Sequence, residues 1–89
     1  MDYRYKIEKV PRRVMFRAII YKKEGEEWFD KKCEALQTEL KANLGEEAII
    51  TNFPHLVESI LFKITVPLDR EDSADEIIRD TVEKHFPWN

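Results

Sequence analysis

Eighty-nine residues, 43% hydrophobic and 11% aromatic, with 15 Lys and Arg against 18 Asp and Glu, describe one domain, residues 1–89. A charged fraction of 37% on a patterned apolar framework excludes a low-complexity or disordered chain, and no uncharged run approaches the ~20 residues of a membrane span. One cysteine, Cys33, leaves no internal disulfide; with no apolar signal-peptide centre in MDYRYKIEKV, a cytoplasmic protein is expected.

Charge is unevenly spread. Residues 1–23 hold eight cations against Asp2 and Glu8, a local +6, and the remainder carries −9, for a net of −3. A basic end can attract an anion or a nucleic acid; equally, it can neutralise acidic helices within the fold or across a dimer. The sequence pI of about 5.4 argues against a surface that coats DNA, so nucleic acid is not an expected partner.

Tyr3–Lys9 alternates, with Tyr3, Tyr5 and Ile7 on one side and Arg4, Lys6 and Glu8 on the other, the pattern of a half-buried strand that Pro11 ends. Val14–Tyr21, VMFRAIIY, is a β-branched and aromatic run and reads as its antiparallel partner. Val14, Phe16, Ala18 and Ile20 should enter the core. Met15, Arg17, Ile19 and Tyr21 make the reverse side, too apolar for a face left to water.

From Glu26 to Leu44 the period becomes helical: Phe29, Cys33, Leu36, Leu40 and Leu44 form one stripe. Glu24, Glu26 and Glu27 suit the positive end of the helix dipole, and Gly45 is expected to close the helix in a left-handed cap. Trp28 falls at the margin of the stripe. Ala48–Phe53 reads as a third strand, Asn52, Pro54 and His55 as turn residues, and Glu58–Val66 as a fourth strand. Its core side is Ile60, Phe62, Ile64 and Val66; its reverse is Leu61, Lys63 and Thr65. A charged loop, Asp69–Asp72, precedes a capping box, Ser73 to Glu76, and a last helix to about Phe86 buries Ala74, Ile78, Val82 and the edge of Thr81.

The order is thus ββα followed by ββα, with the second and fourth strands in the middle of the sheet. At an offset of 46 residues Val14, Phe16, Ala18 and Ile20 fall on Ile60, Phe62, Ile64 and Val66, as two similar units side by side would require. The expected fold class is α+β: a two-layer ββαββα sandwich, a four-stranded antiparallel sheet with two helices on one face.

Nothing in the chain has the spacing of a catalytic motif. Cys33 lies in the apolar stripe, where a buried small hydrophobe is the simpler reading than a nucleophile. His55 and His85 have no Cys or Asp at ligand spacing, so no metal site and no cofactor is expected. The carboxylates cluster at helix starts, which dipoles and caps explain. The informative surface is the reverse of the sheet: Met15, Arg17, Ile19, Tyr21, Leu61, Lys63 and Thr65, with Trp28 at its edge. It reads either as a homodimer interface or as the lining of a ligand groove; base stacking would need more aromatics on the central strands.

The start YRYKIEKVPRRVMFR, the helix near Trp28–Leu44, and the strand ending Phe62-Lys-Ile-Thr-Val-Pro-Leu-Asp69 together resemble one repeat of the GyrI-like effector-binding domains, over residues 3–69. That family includes gyrase-inhibitory proteins and the ligand domains of AraC-type and MerR-type regulators. Its full domain is a tandem pair around a cleft for bulky, often cationic or aromatic molecules, so a two-sided cleft built from a single repeat implies a homodimer. Leu61 stands where related ligand domains carry a buried glutamate, and Lys23-Glu-Gly-Glu-Glu-Trp28 replaces their Gly-Pro-Tyr turn.

The resemblance implies a small non-enzymatic regulatory module, dimeric, binding an amphipathic small molecule. Met15, Ile19, Tyr21, Trp28 and Leu61 would line the site, and Arg17 and Lys63 would serve as polar handles for an anion. The alternative is a small inhibitor or adaptor of the kind phages encode, acting on a protein partner. Nucleic-acid binding through the basic N-terminal strands comes third, and no membrane partner is expected.

Overall fold

The computed structural model describes residues 4–10, 15–56 and 58–87. Four strands, β1 (Tyr5–Val10), β2 (Met15–Tyr21), β3 (Ile49–Pro54) and β4 (Ser59–Thr65), form one sheet in the order β1-β2-β4-β3, antiparallel throughout. Helix α1 (Phe29–Leu44) joins β2 to β3, and α2 (Glu71–His85) follows β4 through a short 3-10 turn at Leu68–Arg70. The two apolar runs are therefore the central pair, and both helices cover one side of the sheet.

Alternation decides which side that is. Phe16, Ala18 and Ile20 of β2 and Phe62 and Ile64 of β4 are fully buried against the α1 stripe Phe29, Cys33, Leu36, Leu40 and Leu44 and against Ala74, Ile78 and Val82 of α2. Losing the ring of Phe16 or Phe62 would cost about 3–5 kcal/mol, a large part of what holds so small a domain together. Phe86, just past α2, completes the core: its ring meets Phe29 edge to face at 5.8 Å, and the Arg4 guanidinium lies 4.7 Å from its centre.

Several boundaries differ from the sequence pattern, each for a local reason. Helix α1 starts at Phe29 rather than Glu26, because the Glu26 carboxylate is engaged in the preceding turn, accepting from Arg4, from the Lys23 N–H at 3.1 Å and from Lys32 at 3.1 Å. Helix α2 starts at Glu71, not at a Ser73 cap; Ser73 already lies in the first turn, and its hydroxyl donates to the Arg70 carbonyl. The expected capping box and charged loop are thus helix and 3-10 turn. Asn52 and Pro54 belong to β3 instead of the turn after it. Gly45 has the positive φ expected of a closing glycine, +94°, but an extended ψ of 171°. A side chain there would also press on Arg70, whose guanidinium donates to the Leu44 carbonyl at 2.7 Å. The expected contributions of Tyr3, Pro11 and Val14 lie outside the described residues.

Candidate functional site

No described helix or strand covers the reverse of the sheet, and the register fixes which residues share it. Reading across from β1 to β3, Val10, Met15, Thr65 and Ile49 form one row; Glu8, Arg17, Lys63 and Thr51 the next; Lys6, Ile19, Leu61 and Phe53 a third. Tyr21 opposite Ser59 closes that end. Six of the seven residues expected to line a site, namely Met15, Arg17, Ile19, Tyr21, Leu61 and Lys63, are brought together on this one surface. Trp28 is placed elsewhere: it precedes α1 in the helix layer, 62% exposed, with Lys31 Nζ 5.2 Å from its ring centre.

The face is graded rather than uniformly greasy. Ile19 and Leu61 are 6% and 8% exposed although no helix overlies them, since Lys6, Phe53, Arg17 and Lys63 flank them in register and along the strands. Ile49 and Phe53, at 63% and 45%, are the most open apolar positions of this face. Sequence reasoning overlooked both because it took β3 as a strand without assigning its sides; counting alternation through Thr51 would have found them.

Between the two apolar rows lies charge. Arg17 and Lys63 are direct cross-strand neighbours at the centre of the sheet, one from each ββα unit, and the offset of 46 maps one onto the other. Like charges at such a position repel. Glu8 stands beside Arg17 in the register, and Lys63 Nζ lies 5.6 Å from the Phe53 ring centre. Among the described residues neither cation forms an ion pair. The contrast with Arg4, Lys9, Lys32, Arg79 and Lys84, all ion-paired, is plain.

Cys33 is buried, and burial, with Asp30 and Glu26 nearby, pushes its thiol up to about 12, so it is no thiolate at neutral pH. No group of His, Cys, Asp or Glu among the described residues could hold a metal ion. No described helix is long and apolar enough to cross a membrane. Set against known families, curated proteins and solved structures, the chain matches none. Its site therefore has to be read from its own chemistry.

Proposed function

We propose that this protein is a non-enzymatic binding module whose open sheet face takes an amphipathic small molecule bearing an acidic group. The observation that supports the reading is the Arg17–Lys63 pair, without an ion pair among the described residues, set between an Ile19–Leu61–Phe53 row and a Met15–Thr65–Ile49 row. A flat apolar body would cover the rows, and its anionic group would relieve the repulsion between the two cations. Such use of the surface is similar to what the GyrI-like resemblance implies, with the preference turned to anions because Leu61 stands where those ligand domains carry a buried glutamate and two cations hold the middle row.

The test compares two probes of one shape, 2-naphthoate and 2-naphthylmethylamine, by calorimetric titration. The naphthoate should bind, and Arg17→Gln should weaken it about tenfold, the loss of one charge-assisted hydrogen bond. Equal affinity for both probes, or an Arg17→Gln variant that binds naphthoate unchanged, would remove the reading.

A further inference from the structure

The outer edge of β3 differs from a guarded strand edge in three respects, and together they define a partner. Main-chain polarity comes first. The His55 N–H donates to the Ser59 carbonyl at 3.1 Å in line with the β3–β4 register, so the odd-numbered residues of β3 direct their main-chain groups at β4. Ile50 and Asn52 must then direct theirs outward, away from the sheet. Pro54 has no N–H to offer. The outward donors are two, and they sit either side of Thr51.

We infer that this edge pairs with the same edge of a second copy, antiparallel and centred on Thr51, to give one continuous eight-stranded sheet. In that register Ile50 faces Asn52 of the second copy and the reverse, so every outward N–H of the strand finds a carbonyl and Pro54 is not asked for one. A register centred on Asn52 would instead set Pro54 against Ile50 and lose bonds.

Side chains agree with the same axis. On the open face Ile49 comes opposite Phe53 of the second copy, twice, covering the most exposed apolar residues of that surface. Just beyond the strand, Glu47 approaches His55 of the second copy, an acid opposite an imidazole at both ends. On the helix side a groove between α1 and β3, lined by Glu34, Gln37, Thr38, Lys41 and Asn52, leaves room for the incoming Ile50 and Asn52 side chains. The strand itself, IITNFP, has no charge to keep a copy away. The pairing is independent of whether a ligand occupies the sheet face, but it would join the two open faces into one.

Sedimentation of the whole chain tests this. Wild type should move, with rising concentration, from 10.7 kDa toward twice that mass. Thr51→Glu faces Lys63 within its own sheet, so the fold is kept, while two carboxylates meet at the axis; it should melt like wild type and stay a single chain at every concentration. Thr51→Cys should form a disulfide-linked dimer under mild oxidation, because directly opposed residues in a non-hydrogen-bonded pair lie about 4.5 Å apart. Asn52→Cys, one step off the axis, should not. A wild type that remains a single chain throughout, a dimer that survives Thr51→Glu, or faster cross-linking through Asn52→Cys would each overturn the inference.

Discussion

β1 and β3 occupy equivalent places, each the outer strand of a hairpin at one end of the sheet, yet they are finished differently. β1 is tied to the helix layer: Tyr5 donates its hydroxyl to Glu83 at 2.7 Å, Lys9 pairs with Glu71, and Arg4 at its start is held by Glu26 and the Phe86 ring. It also displays Lys6, Glu8 and Lys9, charges that discourage strand addition. β3 has no charged residue and is exposed at five of its six positions; Ile50 packs against the core, and polar contacts tie the strand to α1, Asn52 to Gln37 and Lys41 to the Ala48 carbonyl where the strand begins. The same ββα plan thus yields one closed edge and one open edge. The lesson is that a shared ββα pattern sets the framework, while each margin follows its own residues.

The largest expected effect lies at the closed edge. Glu26→Gln leaves the Arg4 guanidinium, 5% exposed, without its counter-charge, and should cost roughly 2–4 kcal/mol in denaturant unfolding. A loss under ~0.5 kcal/mol would mean that β1 is not anchored as described. Acid gives a graded version of the same experiment. Partial burial raises the Glu26 pKa, but hydrogen bonds from Arg4, Lys23 and Lys32 outweigh it and hold the group at about 2 against an ordinary 4.5. A depressed carboxylate stabilises the fold above its unfolded value and loses that contribution on protonation. Stability should therefore fall as pH drops from 4.5 toward 2, and less steeply in Glu26→Gln.

At the open edge the effects on folding should be small and those on association large. Phe53→Ser removes a ring already 45% exposed, so about 1 kcal/mol or less of stability should go, while the concentration at which the chain dimerises rises several-fold. Unfolding curves and sedimentation, run on one sample, separate the two. Smallest of all is Glu58→Gly in the turn between β3 and β4. Glu58 holds a φ of 60° where glycine is at ease, and its carbonyl accepts from the Lys22 N–H at 2.8 Å whatever its side chain. A gain of roughly 0.5 kcal/mol is expected; a loss would show that the Glu58 side chain matters to the hairpin.

Much of the framework was legible because single periodicities carried it. The Phe29-to-Leu44 stripe and the alternation in MFRAIIY and ILFKIT each have one physical solution, and the structure adopts it. What the pattern missed depended on contacts between distant segments. Glu26 looked like a first-turn acid because nothing in the sequence announces that Arg4, 22 residues earlier, will claim it. Ser73 to Glu76 had capping-box spacing, but Pro67 and the 3-10 turn brought the helix start forward to Glu71. On the reverse face, the six residues of β2 and β4 could be grouped from parity alone. Trp28 could not, since its position depends on how the chain turns after Tyr21, and Ile49 and Phe53 needed the β3–β4 register.

The sheet face as the working surface is tested most directly by mapping backbone amide shifts while 2-naphthoate is titrated into the labelled protein. The account predicts that the perturbed amides cluster on β2 and β4 around Arg17, Ile19, Leu61 and Lys63, with α1 and α2 quiet. Perturbations centred on the helices, or none at concentrations where an aromatic acid binds other proteins weakly, would contradict it.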